Sequence, residues 1–208
     1  IINTSNLYVG GGVQVALSFI NELNNINAKN NYHIFISKTI KDQIDQHIFS
    51  NKFKFYFIPK SPSHLVERLK TVKFLSSLER KIIPDVVFTV FGPSYWKPKA
   101  PHIMGFANGW LYNPMSIAYT KLTLFNRVRM KAFCWYQEYY LKKDANFFIV
   151  ETLDAKSKLS MVSSIDVNKI AVVGNTCSSI FDDRKYIDRD FKHYISLPKK
   201  ENHEFRLL

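Results

Sequence analysis

The chain has 208 residues, of which 46% are hydrophobic and 15% aromatic, with seven glycines and eight prolines. This composition supports a folded core and excludes a disordered or collagen-like chain. The net charge of +12 points to an anionic partner. No apolar run approaches the roughly 20 residues that cross a bilayer, and no secretory leader is evident, so we expect a cytoplasmic protein.

Strand-like and helix-like segments alternate along nearly the whole chain, which is the pattern of a parallel sheet with helices on both faces. We therefore predict an α/β fold with a Rossmann-like parallel sheet. The predicted strands are 1–3, 32–37, 53–58, 85–91, 102–106, 146–150 and 169–173. The predicted helices are 13–25, 40–49, 63–82, 116–143 and 152–162.

The first predicted strand leads into Gly10, Gly11 and Gly12 and then into a helix with apolar positions at helical spacing. A loop without side chains lets a ligand approach the main chain, and the amides of the following helix supply donors and a partial positive charge. Phosphates and sugar hydroxyls both suit such a place. The motif alone leaves open a tight turn without any ligand.

The last part of the chain breaks the alternation. Residues 182–185 and 198–202 are polar and resemble an interdomain linker, and 204–208 look like the opening of another strand. We expect one domain over residues 1–181, followed in 182–208 by a linker and the start of a second domain. The chain is thus predicted to be part of a longer protein.

Three local motifs, correct in order and separation, resemble the N-terminal half of a GT-B glycosyltransferase of the family-four, retaining type. The first is the glycine loop and first helix, from Asn6 to Leu17. The second runs from Val172 to Thr176, with Phe181 further on, and the third is 204–208. Together they place nearly the whole chain within the resemblance.

The resemblance implies transfer of a sugar from a nucleotide-sugar to a polysaccharide or a lipid-linked glycan. The nucleotide-sugar is a substrate, and neither a further cofactor nor a metal is implied. In this family the donor is held mainly by the C-terminal domain, so we expect the chain to be inactive alone. The two cysteines, Cys134 and Cys177, also form no metal-ligand pattern.

The candidate substrate-binding residues follow predicted strands, where ligands bind in open parallel sheets. They are Gly11, Gly12, Asn108, Trp110, Glu151 and Thr152. The alternative interpretation is that Asn108 is a loop amide and Trp110 a core side chain, neither of which contacts a ligand. For Thr152 the alternative is a helix N-cap.

Where the family commonly has a histidine, this chain has Asn108 as the nearest polar residue, and His102 is expected to be structural. An asparagine can orient a sugar hydroxyl but cannot exchange protons near neutral pH. No residue is therefore assigned a catalytic role.

Basic residues are concentrated in 52–143, which holds 16 Lys and Arg against four acids and so carries the whole net charge. In the helix predicted at 63–82, the apolar stripe from Leu65 and Leu69 to Ile82 is expected to be core. In 116–143, basic and aromatic residues are interleaved, and they are more numerous than one buried helix face requires. We predict a membrane or acceptor surface here, at the inner face of the plasma membrane. Its residues are Lys121, Arg127, Arg129, Lys131 and Trp135.

Two other functions remain open from the sequence. One is a basic nucleic-acid-binding α/β domain, and the other is a glycan-binding module without catalysis. The chain has no zinc-ligand spacing, no helix-turn-helix signature and no RNA-recognition aromatic motif, so nucleic acid is not the expected partner.

Overall fold

The computed structural model describes residues 1–26 and 29–174. Within them, seven strands form one sheet in which every neighbouring pair is parallel, in the order β3-β2-β1-β4-β5-β6-β7. The strands are β1 Ile2–Thr4, β2 Tyr32–Ile36, β3 Phe53–Phe57, β4 Val87–Thr89, β5 His102–Gly105, β6 Phe147–Val150 and β7 Ile170–Val172. The predicted α/β fold with a parallel sheet is confirmed.

Seven α-helices connect the described strands. They are α1 Gly11–Asn25, α2 Lys38–Lys41, α3 Arg68–Ile82, α4 Gly109–Tyr112, α5 Ile117–Thr120, α6 Leu124–Asp144 and α7 Leu153–Ser163. Short 3-10 turns occur at Gln46–Ile48 and Val167–Lys169.

The chain begins in the middle of the sheet. From β1 it moves outward through β2 to β3, then returns to the other side of β1 as β4 and continues outward to β7. Ile2 accordingly lies between Ile34 of β2 and Phe88 of β4. The loops that follow β1 and β4 thus leave the sheet in opposite directions, which opens a crevice at the carboxyl ends of these two strands.

Both faces of the central strands β1, β2, β4 and β5 are largely buried, as the apolar strand sequences predict, whereas the edge strands β3 and β7 have exposed positions. In β2, Ile34 and Ile36 point to one face, where they pack with Val13 and Ile20 of α1. Phe35 points to the opposite face, where it packs with residues that include Leu75 of α3. This alternation fixes α1 and α3 on opposite faces of the sheet.

A third cluster covers the other half of the sheet. Met104 of β5 and Phe148 of β6 pack with Leu111 of α4, Leu141 of α6 and Leu159 of α7. The long helix α6 is therefore held to the sheet by one narrow side.

The helix predicted at 40–49 is wrong. The chain forms only the four-residue α2, and a 3-10 turn follows. The Asp45 side chain accepts a hydrogen bond from the His47 amide at 3.0 Å and so starts this new turn. Local side-chain bonding of this kind competes with continued helix.

The two long predicted helices also differ from the observed ones, the first in where it begins and the second in being interrupted. The first starts at Arg68, and Leu65 and Leu69 are 74% and 75% exposed, so the predicted core stripe is wrong at these two positions. The second is divided into α5 and α6, because Thr123 caps α6 by accepting a hydrogen bond from the Asn126 amide.

Residues 175–208 lie outside the described part of the chain. The predicted domain end at 181, the linker, and the motif residues from Asn175 onward therefore remain predictions. Among the described residues, no helix is both long and apolar enough to cross a membrane. These residues also contain no group of three or more His, Cys, Asp or Glu side chains placed to hold a metal ion.

The close approach of β4 and β5 predicts a marked difference between two glycines. A Cβ at Gly105 would overlap the Val90 carbonyl oxygen, whereas a Cβ at Gly109 would meet no atom within 4 Å. We expect Gly105→Ala to lower the free energy of unfolding by about 3 kcal/mol or more. Gly109→Ala, the control, should leave it unchanged or slightly raised. Urea denaturation checks this, and equal values for the two variants would contradict the packing of β5.

Candidate functional site

The crevice between the β1 and β4 loops is organised by one asparagine. Asn6 follows β1, and its Nδ2 donates to the carbonyl oxygens of Phe91 at 2.6 Å and of Pro93 at 3.0 Å. Both acceptors belong to the segment after β4. The two loops that border the crevice are therefore joined by side-chain hydrogen bonds.

The glycine loop lies directly beside this crevice. Gly10 has φ 78° and ψ −171°, a conformation essentially restricted to glycine, and it precedes the first helical residue of α1, Gly11. Because Gly10 has no side chain to cap the helix, the first amides of α1 have no side-chain acceptor. These amides can therefore donate hydrogen bonds to a ligand.

The two glycines predicted to bind substrate differ in their surroundings. A Cβ at Gly12 would lie 3.4 Å from side-chain atoms of Leu7 and Phe91, so Gly12 is packed under the loop. A Cβ at Gly11 would meet nothing within 4 Å. Gly11 therefore offers the open surface.

Two buried polar atoms in the same loop have no hydrogen-bond partner among the residues that the structure describes. They are Oδ1 of Asn6 and the hydroxyl of Tyr8. Burial raises the pKa of Tyr8, so its hydroxyl stays protonated near neutral pH. A buried polar atom left without a partner costs about 1–3 kcal/mol, and a ligand that pairs with it recovers this cost.

Asn108 and Trp110 follow β5 at the same edge of the sheet. Asn108 Oδ1 accepts from the Trp110 amide at 3.0 Å and so caps α4, and its Nδ2 donates to Gln137 Oε1 of α6. The Trp110 ring packs edge-on against Tyr119, at 5.1 Å between ring centroids. Both side chains thus have internal partners, and Asn108 links α4 to α6.

Glu151 and Thr152 follow β6. Thr152 Oγ1 accepts from the Ala155 amide at 3.0 Å, so it is the N-cap of α7. Glu151 is half-buried, and its carboxylate contributes, after burial, to the raised pKa of Tyr112. β6 lies three strands from β1, which is about 14 Å across the sheet. The structure places these residues at one edge but does not bring them next to the glycine loop.

His102 is a buried structural residue at the opposite edge. Its Nε2 accepts from Thr89 Oγ1 at 2.8 Å, and its Nδ1 donates to the Asp144 carbonyl at 2.6 Å. Burial lowers the His102 pKa to about 4, so the ring is neutral at pH 7. Its position excludes a role in the crevice.

Sequence reasoning missed a cavity beside the glycine loop. This cavity, the β1–β3 pocket, has a volume of about 920 Å³ and is formed by the loops after β1, β2 and β3. Its polar lining includes Asn6, Tyr8, Lys38, Lys60, Ser63 and His64. These residues are distributed over nearly 60 positions, so no local motif reveals the pocket.

One arginine holds the outer wall of the β1–β3 pocket. Arg68 Nε donates to the Pro62 carbonyl at 2.9 Å and Nη2 donates to the Ser63 carbonyl at 3.2 Å. Its Nη1 donates to the Tyr140 hydroxyl at 2.7 Å, and Nη2 also donates to the Tyr136 hydroxyl. The guanidinium lies over both tyrosine rings. Arg68 thereby fixes the segment before α3 against α6.

The outward side of α6 carries exposed apolar and basic residues. Leu124, Val128, Lys131, Trp135 and Tyr139 recur at spacings of three and four, so they form one stripe, here called the exposed α6 face. Trp135 is 69% exposed and Leu124 is 76% exposed.

The basic residues predicted for this surface are mostly accessible. Lys121, Arg129 and Lys131 are exposed. Arg127 is half-buried, and its Nε donates to the Tyr119 carbonyl at 3.1 Å, which closes the end of α5. Arg127 therefore has a structural partner that the sequence does not reveal.

Comparisons with known proteins find similarity at the level of structure but not of sequence. No known protein-family profile and no curated protein sequence matches the chain. A crystal structure of Anabaena Alr3699/HepE, in complex with UDP and glucose, is similar to the chain with a TM-score of 0.47 and 9% sequence identity. The match covers 90% of this chain and 49% of that protein, so the chain spans about half the length of its structural neighbour.

The backbone conformation of Gly10 predicts that substitution by alanine changes the stability differently at Gly10 and at Gly11. Gly10→Ala places a Cβ on a backbone that only glycine adopts freely, so we expect unfolding free energy to fall by about 1–3 kcal/mol. Gly11→Ala, the matched control, should keep or slightly raise the stability. Thermal or urea denaturation measures both. Equal stability of the two variants would mean that the loop does not need the described conformation.

Proposed function

We propose that this chain is the acceptor-side domain of a glycosyltransferase that moves a sugar from a nucleotide-sugar to a polysaccharide or a lipid-linked glycan. The observation that carries the proposal is the position of the glycine loop. It opens α1 at the carboxyl end of β1, beside the point where the strand order reverses. Open parallel sheets bind their ligands at this point.

In this proposal each part of the loop has a task in the reaction. The amides of Gly11 and Gly12 face the ligand with the positive end of the α1 dipole and bind a phosphate or a sugar hydroxyl. Asn6 ties the β1 and β4 loops together, so their relative position is fixed before a ligand binds. No described side chain is assigned to proton transfer. The proposed enzyme is of the family-four type, and the departing diphosphate of the donor acts as the base in retaining transfer.

The proposed donor is held mainly by a second domain, so transfer needs the protein made from the complete reading frame. That protein should release nucleotide from at least one member of a panel of nucleotide-sugars when membrane extract supplies the acceptor. No release from any member of the panel would contradict the transferase proposal.

A charge at Gly11 tests whether the loop takes part. The open surroundings of Gly11 accept a side chain, and an acid in the first helical turn stabilises a helix. Gly11→Glu should therefore fold normally but repel an anionic donor, and we expect nucleotide release to fall about tenfold or more. The isosteric control, Gly11→Gln, should lose less. Equal activity of both variants and the unchanged protein would make the loop a structural turn only.

We also propose that the exposed α6 face binds an anionic membrane, which places the enzyme at the inner face of the plasma membrane. Large apolar side chains lie there together with Lys131, and Lys121 and Arg129 are further exposed basic residues of this region of the chain. α6 runs from the carboxyl edge of the sheet back to the start of β6, so its first turns lie at the same edge as the crevice. Apolar insertion combined with attraction to anionic headgroups, about 1 kcal/mol for each basic residue, supports reversible attachment.

Vesicle sedimentation tests the membrane proposal. The chain should sediment with phosphatidylglycerol-containing vesicles but not with pure phosphatidylcholine, and salt should weaken the binding. The double variant Leu124→Ser and Trp135→Ser should bind at least about tenfold more weakly. Met161→Ser, at a 73% exposed position of α7, is the control. Unchanged vesicle binding by the double variant would contradict the proposal. Salt-sensitive binding to DNA without binding to vesicles would also contradict it, and that result would favour a nucleic-acid-binding module.

A further inference from the structure

The β1–β3 pocket differs from the crevice in the walls formed by the loops after β2 and β3, while the two share the loop after β1 and its Asn6. Its walls come from the loops after β1, β2 and β3, whereas the crevice lies between the loops after β1 and β4. A ligand in the pocket would therefore lie beside the glycine loop and leave the crevice free for another substrate. The volume of about 920 Å³ is that of pockets that hold sugars and similar ligands.

The charged groups of the pocket are all basic. Lys38 and Lys60 line it together with His64, and its lining contains no Asp or Glu. Neither lysine takes part in any of the three ion pairs formed in the described part of the chain. Two ammonium groups that line one pocket without a carboxylate favour an anion.

Neutral groups of the pocket supply further donors. Ser61 and Ser63 are joined through their hydroxyls at 2.6 Å. Only one of the two hydroxyl hydrogens is used in that bond, so the other can be donated to a ligand. The Tyr8 hydroxyl, which has no partner within residues 1–26 and 29–174, is another donor.

The pocket also has an acceptor that suits a sugar. Asn6 Nδ2 is held by two carbonyls, which fixes the side chain and leaves its buried Oδ1 without a partner. An acceptor of this kind cannot pair with a phosphate oxygen, but it can accept from a ligand hydroxyl. Anion-binding and hydroxyl-binding groups thus occur together.

The pocket walls are held in place before any ligand binds. Thr39 Oγ1 donates to the Tyr8 carbonyl at 2.9 Å, and Ser37 Oγ donates to the Leu7 carbonyl, so the loops after β1 and β2 are tied together. Arg68 fixes Pro62 and Ser63 on the other side. Preformed walls reduce the ordering that binding requires.

We infer that the β1–β3 pocket binds the acceptor, and that the acceptor is a sugar carrying a phosphate group. Lys38 and Lys60 contact the phosphate, and Asn6 accepts from a sugar hydroxyl. The identification of the bound sugar as the acceptor rests on the proposed function. Phosphosugar binding itself is inferred from the pocket alone. A lipid-linked glycan diphosphate and a free sugar phosphate share this chemistry.

Calorimetric titration of the 208-residue chain tests the inference, with glucose 1-phosphate, glucose and inorganic phosphate as separate probes. Glucose 1-phosphate should bind more tightly than either of the others. The double variant Lys38→Gln and Lys60→Gln, at exposed positions, should weaken its binding about tenfold or more. Lys73→Gln, an exposed lysine of α3 outside the pocket, should not.

Three results would overturn the inference: no binding of glucose 1-phosphate, equal binding of inorganic phosphate, or the same loss in the Lys73 variant as in the double variant. Activity of the complete protein separates this proposal from the transferase proposal. If phosphosugar binds but no nucleotide is released from any donor, phosphosugar binding by the pocket is supported and the transferase proposal is contradicted. If nucleotide is released equally by the double variant with both lipid-linked and free acceptors, transfer stands and the phosphate site fails.

Discussion

The central constraint on this molecule is that all described strands run in the same direction. Parallel strands place every strand-to-helix loop at one edge of the sheet, so the ligand-facing groups gather there although the chain brings them in one at a time. β1 is only three residues long, yet it lies between β2 and β4 and is paired on both sides. Its buried middle residue, Asn3, also donates to Thr89 Oγ1 of β4 at 3.1 Å. The position of the glycine loop depends on this short strand.

α6 connects the two surfaces that we propose to be functional. On one flank, Tyr136 and Tyr140 hold Arg68, and Arg68 in turn holds the wall of the β1–β3 pocket. On the outward side, the exposed α6 face is available to a membrane. A glycan whose lipid anchor lies in that membrane would thus approach the same edge of the sheet as the pocket. The tyrosines give α6 a structural role that explains part of its unusual aromatic content.

The strands could be predicted closely because they are short, mostly apolar runs that polar segments separate. Each of the seven predicted strands overlaps an observed one. The helix boundaries were less predictable because they depend on single side chains. Asp45 and Thr123 end or begin a helix through one hydrogen bond to a nearby amide, and apolar spacing does not report such a bond. Leu65 and Leu69 have the right spacing for core, but the first precedes α3 and both remain exposed.

Only the parts of the site that consist of residues close together in the sequence could be predicted. The glycine loop could be recognised from consecutive residues, and the capping role of Thr152 was one of its two expected alternatives. The β1–β3 pocket could not be recognised, because Tyr8, Lys38 and Lys60 meet only after three strands have paired. The bond of Arg127 to the Tyr119 carbonyl was hidden for a different reason, because the predicted single helix did not contain the break between α5 and α6 that it closes.

Hydrogen exchange of backbone amides in the complete protein tests the central claim most directly, namely that ligands bind at the carboxyl edge beside β1. Exchange is measured with and without a saturating mixture of nucleotide-sugars and glucose 1-phosphate. The account predicts slower exchange in residues 5–13, at the glycine loop, and in 90–96, the segment held by Asn6. Unchanged exchange in both segments, or slowing confined to the opposite edge around 98–102 and 145–147, would contradict it.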